Sequence, residues 1–309
     1  MKCLITEVIA QEGIDILERE FGVVLAYDKS IAEIKEMVKD YEILIVRAET
    51  PVDKEMIDAG EKLKVIGMAG IGLNHIDVKY AESKGIKVFN VPDGSTNSVA
   101  ELALGMMLTT MRRITEANNY VKAGHWDKTA FVGRQIRRKT VGIVSMGKIG
   151  YRVAELVKAL GAHIIVYDPY LKPEVARSLN AEIASLDILF QNADIISVHT
   201  PLTPETYHMI GRKLLSQMKP SSYIFNLGRG GIIDEDALYD ALKNKTIAGA
   251  GVDVLEVEPP EVNNKLFTLD NFIVTCHIGA GSVEAQTYIA KHLAVYIIDY
   301  LREELGLIG

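Results

Sequence analysis

The chain has 309 residues, 48% of them hydrophobic and 24% charged, a composition typical of globular proteins rather than of fibrous or disordered ones. This length is sufficient for two domains with large buried cores. The net charge of −7 argues against a general nucleic-acid-binding surface, and we interpret the one basic run, residues 133–139, as a solvated loop.

Membrane insertion, export and metal binding are also disfavoured by the sequence. No apolar segment approaches the roughly 18 residues of a membrane span, and Glu7 interrupts the apolar N-terminal run, so we expect no signal peptide. Cys3 and Cys276 have neither metal-ligand nor redox spacing, and such sparse cysteine use is typical of a reducing compartment. We therefore expect a cytoplasmic protein with no metal, no nucleic-acid partner and no membrane partner.

The segment from Cys3 to Val91 alternates apolar runs with amphipathic ones, and this alternation predicts a parallel sheet with helices on both faces. The predicted strands are Cys3–Ile9, Val23–Tyr27, Glu42–Val46, Lys64–Met68 and Gly85–Val91. The predicted helices are Gly13–Glu20, Ile31–Tyr41, Asp53–Asp58 and His75–Ser83.

Two polar features follow strands in this segment. Arg47 comes directly after an apolar strand, and Ala69–Leu73, which contains Gly70, Ile71 and Gly72, forms a tight turn that we expect to be rich in free N–H groups. Ligands of open parallel sheets collect at the carboxyl ends of the strands, so these residues are candidates for substrate binding. The alternative for Arg47 is a surface arginine paired with a nearby glutamate.

A loop-like segment, residues 90–97, precedes a predicted helix of unusual length that runs from Ser98 to about Gly124. We place a domain boundary at this loop. Trp126, the only tryptophan, comes after the helix, and we expect it to anchor its loop to another surface.

The stretch from Val141 to Asp168 is typical of a strand, a glycine-containing turn, a helix and a second strand. Gly147 would let the backbone approach a pyrophosphate, and Gly150 would let the helix pack closely on the strand. Asp168 is then placed to accept hydrogen bonds from a ribose. The alternative is a glycine-containing turn that binds no ligand.

One residue departs from the dinucleotide-binding pattern G-x-G-x-x-G, because its first position is Ser145. If that position requires a left-handed backbone, a side chain there costs about 1 to 2 kcal/mol. The two glycines that would face the phosphate and the helix are nevertheless present.

Past this turn the alternation resumes, and polar residues follow four further predicted strands. These strands are Ile195–Val198, Tyr223–Phe225, Ala248–Val252 and Phe272–Val274. The residues that follow them include His199, Thr200, Pro201, Asn226, Leu227, Gly228, Arg229, Gly230, Asp253 and His277. Together with Ser145 and Asp168 they should gather along one edge of a second sheet, which is the predicted active site.

Arg229, Glu258 and His277 are the candidate catalytic residues. A planar arginine binds a carboxylate bidentately, and a histidine near neutral pKa can take and return a proton. A glutamate beside that histidine would raise its pKa. Each residue alone has a structural alternative, as a loop cation, a loop acid or a hydrogen-bonded strand-end histidine. The remaining histidines are interpreted as structural or solvated: His75, His125, His163, His208 and His292.

The order of these motifs resembles the D-isomer-specific 2-hydroxyacid dehydrogenases, and within that family the short-form D-3-phosphoglycerate dehydrogenases, which carry no regulatory domain after the catalytic core. The matching segments are Phe131–Gly142, Tyr167–Pro169, Val198–Leu202, Asn226–Asp234, Gly251–Val254, Glu258–Pro260 and His277–Ala280. Three residues besides Ser145 depart from the pattern. Cys276 replaces a usual proline, and Ile71 and Asn74 stand where threonine and aspartate are common.

The resemblance implies two doubly wound parallel-sheet domains, one of them a Rossmann-type NAD-binding domain and the other a flavodoxin-like substrate domain. Apolar residues in helical register predict one final amphipathic helix, Val283–Leu301, and the resemblance implies that it completes the first domain. The substrate domain is then residues 1–97 with 283–309, and the NAD-binding domain is residues 98–282. A homodimer built largely on the NAD-binding domain is also implied.

The resemblance further implies that Arg229 holds the substrate carboxylate, that His277 is the acid–base residue and that Glu258 is its partner. Arg47 matches an arginine on the substrate phosphate side. Asp168 is followed by Pro169 and not by an arginine for a 2′-phosphate, which favours NAD over NADP. The implied cofactor contacts are Ser145, Gly147, Lys148, Ile149, Asp168, His199, Thr200, Pro201, Leu227, Gly228, Arg229, Asp253, His277, Gly279 and Ala280.

The sequence therefore predicts an NAD-dependent oxidoreductase that interconverts a D-2-hydroxy acid and its 2-oxo acid. The expected pair is 3-phosphoglycerate and 3-phosphohydroxypyruvate, the entry step to serine. One alternative is a hydroxypyruvate or glyoxylate reductase. Another is an NAD(H)-sensing binding protein of the same fold, against which the short segment after Leu301 argues.

Overall fold

The computed structural model describes residues 1–303 and residue 306. This part of the chain divides into two compact units, which we call unit 1, Met1–Ser95 with Ala280–Gly309, and unit 2, Thr96–Gly279. The sequence placed the two boundaries slightly further along the chain, after residues 97 and 282.

The two units contain strands and helices that alternate along the chain. The strands are β1 (Lys2–Ile5), β2 (Gly22–Leu25), β3 (Ile43–Val46), β4 (Val65–Met68), β5 (Lys87–Phe89), β6 (Thr140–Val144), β7 (His163–Tyr167), β8 (Glu182–Ile183), β9 (Ile195–Val198), β10 (Tyr223–Asn226), β11 (Gly249–Val252) and β12 (Phe272–Val274). The helices are α1 (Gln11–Leu17), α2 (Ile31–Met37), α3 (Lys54–Ala59), α4 (Val78–Ser83), α5 (Thr96–Arg112), α6 (Ile114–Lys122), α7 (Lys148–Ala159), α8 (Pro173–Ser178), α9 (Leu186–Asn192), α10 (Arg212–Gln217), α11 (Glu235–Lys243) and α12 (Val283–Glu303).

Unit 1 is a five-stranded parallel sheet with the strand order β2-β1-β3-β4-β5. The central strands β3 and β4 are buried along their whole length, as expected for parallel strands covered on both faces. Helix α12 packs on one face of this sheet, since a Cβ added to Gly67 of β4 would lie 2.9 Å from Ile297 of α12. This strand order is that of the flavodoxin-like doubly wound fold.

Unit 2 is a seven-stranded parallel sheet with the order β12-β11-β10-β9-β6-β7-β8. The chain starts at β6, builds outward to β8, and then returns to β9 on the other side of β6. Between β6 and β9 the winding direction reverses, and ligands of open α/β sheets bind at such a point. The predicted pair of doubly wound parallel sheets is therefore confirmed.

The single long helix predicted from Ser98 to Gly124 is wrong, because the structure has two helices, α5 and α6, with a break at Arg113. Arg113 adopts a left-handed backbone with φ of 53°, which interrupts the helical hydrogen-bond ladder. Its guanidinium bonds Glu116 and the carbonyl of Ala130. The arginine thus ties the break to the loop that follows α6.

The expectation that Trp126 anchors this loop is also wrong within the described chain, since its side chain is 82% exposed. Phe131 anchors the loop instead. Its ring packs edge-on against Tyr120 with centroids 5.3 Å apart, and the Arg113 guanidinium lies 5.0 Å from the ring centroid.

Several predicted elements of unit 1 extend beyond the observed ones. The predicted helix His75–Ser83 begins only at Val78, because Asp77 caps it by accepting the N–H of Tyr80 at 3.0 Å. The predicted helix Ile31–Tyr41 ends at Met37 and is followed by a short 3-10 turn.

Candidate active site

The polar residues that follow the strands of unit 2 share one edge of its sheet. Because all six neighbouring strand pairs are parallel, their carboxyl ends point to the same side. The sequence-predicted residues found directly after these ends are Ser145 after β6, Asp168 after β7, His199 after β9, Leu227 after β10, Asp253 after β11 and His277 three residues after β12.

The turn between β6 and α7 has the geometry of a phosphate-binding turn. A Cβ added to Gly150 would lie 2.2 Å from the carbonyl oxygen of Ser145, so only glycine lets the helix pack this closely on the strand. Gly147 caps α7 without a side-chain hydrogen bond, and the space where its Cβ would lie is open for 4 Å. A backbone with that opening at a helix N-terminus can receive an anion.

Ser145, the departure from the glycine pattern, adopts a left-handed backbone with φ of 71°. The position therefore does require the conformation that glycine adopts at lowest cost. The serine hydroxyl lies 3.5 Å from Asp168 Oδ2, at the limit of a hydrogen bond.

Asp168 is held by backbone donors at the end of β7. Its Oδ2 accepts the N–H of Met146 at 2.9 Å, and its Oδ1 accepts the N–H of Tyr170 at 2.9 Å. Each carboxylate oxygen has about two acceptor sites. Oδ1 therefore keeps one for a ligand hydroxyl such as that of a ribose.

The segment after β9 is tied into the sheet edge. Thr200 is buried, and a Cβ added to Gly228 would lie 2.7 Å from its carbonyl oxygen, so the loops after β9 and β10 are in direct contact. His199 Nε2 lies 2.9 Å from Ser197 Oγ, and its Nδ1 is buried with no partner among the described residues. Burial lowers the pKa of His199 to about 4, so this imidazole is neutral at physiological pH.

Asn226 shapes the loop that carries Arg229. Its Oδ1 accepts the N–H of Gly228 at 3.0 Å, and its Nδ2 donates to the carbonyl of Arg229 at 2.9 Å. Leu227 is buried in the core, which leaves only its backbone for a ligand. The sequence placed Asn226 at this sheet edge but assigned it no role, and its two bonds to the loop show what it does there.

The Arg229 guanidinium is partly buried and donates to the carbonyl of Gly228 at 2.8 Å. Burial lowers the pKa of Arg229, and the charge of Glu258 opposes that effect. A guanidinium stays protonated in proteins. Arg229 is thus a desolvated cation at the sheet edge, suited to binding a carboxylate.

Glu258 and His277 form a direct pair, with Glu258 Oε2 2.7 Å from His277 Nδ1. Glu258 Oε1 also accepts the N–H of Leu255 at 2.8 Å. The hydrogen bond that His277 donates to Glu258 raises the pKa of His277 more than burial lowers it. Burial alone would raise the pKa of Glu258, but the bonds from His277 and Leu255 outweigh it and lower that pKa.

The pairing with Glu258 determines which ring nitrogen of His277 is available to a bound molecule. Nδ1 of His277 is engaged by Glu258, and no described residue hydrogen-bonds to Nε2. The charges of Arg229 and Asp253 also act on His277. The ring is 46% exposed, so Nε2 can exchange a proton with a bound molecule.

Asp253 fixes the turn that carries His277. Its Oδ1 accepts bonds from Thr275 Oγ1 at 2.5 Å and from the N–H of Ile278 at 2.9 Å, and its Oδ2 accepts the N–H of Gly279 at 2.8 Å. Its carbonyl accepts the N–H of His277, which has φ of 55°. The carboxylate predicted to contact a cofactor is thus largely engaged by its own chain.

The other predicted cofactor contacts are dispersed along the same turns. Lys148 and Ile149 begin α7, and Pro201 is exposed after Thr200. Ala280 is the first residue of the second segment of unit 1, and its carbonyl accepts a bond from Gln286 at 2.7 Å.

Arg47 lies at the carboxyl end of β3 in unit 1. Its Nη1 donates to the carbonyl of Val8 at 3.1 Å, and its backbone N–H donates to Glu7 at 2.9 Å. The ion pair with a glutamate that was the alternative for Arg47 does not form among the described residues. His75 lies beside this group: burial lowers its pKa, while the charge of Glu7 and a bond to the Arg47 backbone oppose that.

The turn of Gly70, Ile71 and Gly72 offers fewer free donors than predicted. The N–H of Ala69 donates to the carbonyl of Val46 at 2.9 Å, and that of Gly70 donates to Met68 at 2.8 Å. The carbonyl of Ile71 accepts a bond from the Asn90 side chain at 2.6 Å. The strand ends therefore use part of the donor set that the sequence assigned to a ligand.

Within residues 1–303 and 306, no three histidine, cysteine, aspartate or glutamate side chains converge as a metal-binding group. Over the same residues, no helix has the length and apolar character needed to cross a membrane.

The family model described as "D-isomer specific 2-hydroxyacid dehydrogenase, NAD binding domain" matches residues 104–279. This range lies within unit 2 and contains Arg229, Glu258 and His277.

Relatives named for different activities are similarly close to the chain. A D-3-phosphoglycerate dehydrogenase of Methanocaldococcus jannaschii is 45% identical over 99% of this chain and 58% of its own length. A hydroxypyruvate reductase of Thermotoga maritima is 44% identical over 89% of this chain and 88% of its own length. The chain spans less than two thirds of the length of the D-3-phosphoglycerate dehydrogenases of Methanocaldococcus jannaschii, Synechocystis sp. and Archaeoglobus fulgidus.

The fold also matches solved structures. A D-lactate dehydrogenase from Aquifex aeolicus, in complex with NAD and lactic acid, is 28% identical with a TM-score of 0.85, over 99% of this chain and 97% of that one.

Proposed function

The chain belongs to the D-isomer specific 2-hydroxyacid dehydrogenase family, and we propose that it interconverts 3-phosphoglycerate and 3-phosphohydroxypyruvate. NAD is the cofactor of this family's matched domain, which lies in unit 2. One observation carries the proposal: the desolvated Arg229 and the bonded pair of Glu258 and His277 lie at one sheet edge, with their charges interacting.

The residues around the β6–α7 turn fit a dinucleotide. The opening at Gly147 fits a pyrophosphate, and the unfilled acceptor site on Asp168 Oδ1 fits a ribose hydroxyl. A nicotinamide bound there would supply the hydride acceptor for oxidation of the substrate and the hydride donor for its reduction.

Arg229 is proposed to bind the substrate carboxylate through its planar fork, which also fixes the orientation of the adjacent carbon. His277 Nε2 then takes the hydroxyl proton during oxidation and donates it to the carbonyl oxygen during reduction. Glu258 stabilises the imidazolium at Nδ1. In reduction this keeps His277 a proton donor at higher pH than an isolated histidine would be.

Arg47 is proposed to contact the phosphate of the substrate, because it lies at a strand end of unit 1 and makes no ion pair with a described carboxylate. Gly70, Ile71 and Gly72 are proposed to contact the substrate through their turn. The phosphorylated substrate is further favoured by the 45% identity to the Methanocaldococcus jannaschii phosphoglycerate dehydrogenase.

The test of the substrate is the effect of Arg47→Ala on two oxo acids. A lost charge-assisted bond of about 1.5 to 3 kcal/mol should lower kcat/KM for 3-phosphohydroxypyruvate about 10- to 100-fold. Glyoxylate, which has no phosphate, should be affected little. The control is Arg19→Ala, which removes an exposed arginine from the turn that follows α1. Equal losses on both substrates would remove the phosphate role of Arg47.

The second candidate is a hydroxypyruvate or glyoxylate reductase, favoured by the 44% identity to the Thermotoga maritima hydroxypyruvate reductase. An enzyme of that kind would turn over only the small oxo acids and not the phosphorylated one. The NAD(H)-sensing protein would bind NADH with negligible turnover.

A homodimer remains part of the proposal, and sedimentation of the purified protein tests it.

A further inference from the structure

Two loops that carry proposed catalytic residues touch each other at Gly230. A Cβ added to Gly230 would lie 1.8 Å from the carbonyl oxygen of Leu255 and 2.8 Å from the backbone nitrogen of Glu256. Gly230 follows Arg229, and Leu255 precedes Glu258 by three residues. The loop of Arg229 and the loop of Glu258 are therefore packed backbone against backbone.

A turn that follows β9 lies against the first of these loops. The backbone N–H of His208 donates to the carbonyl of Gly231 at 2.7 Å. The ring of Tyr207 lies against Gly231, since an added Cβ there would be 3.3 Å from two ring carbons. The turn is closed internally by the N–H of Tyr207, which donates to the carbonyl of Thr203 at 2.9 Å.

The side chains of the same turn reach the second loop. Tyr207 OH donates to Glu256 Oε1 at 2.7 Å, and His208 Nε2 lies 3.1 Å from the same oxygen. The two rings stack with centroids 4.0 Å apart. The backbone N–H of Glu256 donates to Glu235 Oε1 at 2.7 Å, so both ends of this residue are held.

A short path leads from Glu256 to the acid–base residue. The backbone of Leu255, next in the chain to Glu256, donates to Glu258 Oε1 at 2.8 Å, and the other oxygen of Glu258 binds His277. A carboxylate oriented by two partners holds an imidazole in one tautomer and one direction. Movement of residues 255 and 256 would therefore be transmitted to His277.

We propose that Tyr207, His208 and Glu256 are positioning residues that hold the Arg229 loop and the Glu258 loop at a fixed separation. The proposal rests on the proposed function, in which Arg229 binds the carboxylate while His277 moves the proton. None of the three touches the reacting atoms. Their action is to keep the carboxylate-binding group and the acid–base pair in one geometry.

A purely local surface role would have a different signature. The side chains of Glu256 and His208 are 30% and 34% exposed, and a polar contact between side chains this exposed contributes little to stability. If Tyr207, His208 and Glu256 had only a local role at the surface, substitutions of these residues would leave both the stability of the protein and the titration of His277 unchanged. Positioning predicts little change in stability together with a clear change at His277.

The test is the titration of His277 in the full chain, followed by two-dimensional NMR of the imidazole nitrogens and assigned by the signal that His277→Asn removes. Tyr207→Phe keeps the ring on Gly231 and removes only the hydroxyl, and Glu256→Gln keeps the shape and removes the charge. The groups that act on His277 are Glu258, Asp253 and Arg229, and those around Glu256 are Tyr207, His208 and Glu235.

In both variants the pKa of His277 should fall from its raised value toward its ordinary value of about 6.5, because Glu258 is less well oriented. With any oxo acid that the wild type turns over, kcat should fall about tenfold or more. The matched controls, Tyr239→Phe and Glu261→Gln, should titrate and turn over like the wild type, since neither removed group makes a hydrogen bond to a described residue.

An unchanged His277 titration in both Tyr207→Phe and Glu256→Gln would overturn the positioning role. Absence of turnover with every oxo acid in the wild type would instead overturn the proposed function. The two failures are distinguishable because the NMR titration requires neither substrate nor cofactor.

Discussion

The hydrogen bond between His277 and Glu258 sets the protonation state on which the proposed chemistry depends. Glu258 raises the pKa of His277, so the imidazolium persists to higher pH. Reduction of an oxo acid requires that imidazolium as donor, and oxidation of a hydroxy acid requires the neutral imidazole as base. The two directions therefore have opposite dependence on pH through the same residue.

Replacement of Glu258 by glutamine should shift the pH profile of reduction. The lost charge lowers the pKa of His277, so the fall in kcat on the alkaline side should begin at lower pH than in the wild type. The measurement is kcat for oxo acid reduction across pH. Glu261→Gln, an exposed acid in the same loop region, is the control and should leave the profile in place. A shift toward higher pH would contradict the assignment.

The backbone conformation of Ser145 should lower the stability of unit 2. Its left-handed backbone costs a side chain about 1 to 2 kcal/mol, while glycine loses about 0.5 to 1 kcal/mol in backbone entropy. Ser145→Gly should therefore stabilise unit 2 by about 1 kcal/mol, a rise in Tm of about 2 to 4 °C.

The control for this prediction is Ser145→Ala, which removes the hydroxyl near Asp168 but keeps a side chain in the same backbone conformation. Its Tm should stay near that of the wild type. If Ser145→Gly and Ser145→Ala melted together, relief of backbone strain would be excluded as the cause.

The residues proposed for chemistry could be predicted from their types at strand ends, as with Arg229 and His277. The residues that hold these side chains in place could not be predicted in the same way. Ser197 lies inside a strand, and Tyr207 is 49 residues from Glu256 in the chain. The place of Asn226 at a strand end could be predicted, but its two partners in the Arg229 loop could not. Such contacts depend on which loops pack together, which local sequence patterns do not encode.

In the segment that comprises β6, the turn and α7, one glycine is needed for packing and another is proposed to make room for the cofactor. Gly150→Ala places a Cβ against the Ser145 carbonyl, so the helix must move, and we expect a loss of stability of about 1 to 3 kcal/mol. Gly147→Ala meets open space and should change stability by less than about 0.5 kcal/mol.

For cofactor binding, in contrast to stability, we expect the substitution at Gly147 to have a large effect. Its Cβ would occupy the opening proposed for the pyrophosphate, so NADH affinity, measured by calorimetry, should fall about tenfold or more despite the unchanged fold. Full NADH affinity in Gly147→Ala would contradict this placement of the phosphate.

Element type and order could be predicted well from the alternation of apolar and amphipathic segments. The break between α5 and α6 could not, because Arg113 interrupts no apolar pattern and its left-handed backbone has no signature in the residue type. Helix starts were misplaced where a capping aspartate, such as Asp77, decides the first turn.

At the scale of the whole molecule, the chain combines two parallel-sheet units whose strand ends carry different chemistry. Unit 2 holds the family's NAD-binding domain and the proposed catalytic residues, and unit 1 holds Arg47. Overall identity does not distinguish the substrates, because a phosphoglycerate dehydrogenase and a hydroxypyruvate reductase are 45% and 44% identical to the chain.

The most direct measurement is NADH oxidation by the purified chain with 3-phosphohydroxypyruvate, hydroxypyruvate and glyoxylate, in the wild type and in His277→Asn, with NADH binding measured for both proteins. We predict the highest kcat/KM for the phosphorylated substrate and a loss of about 10²- to 10⁴-fold in kcat in the variant, with NADH still bound. Turnover in His277→Asn at the wild-type rate, or NADH binding by the wild type without turnover of any of the three acids, would contradict the account.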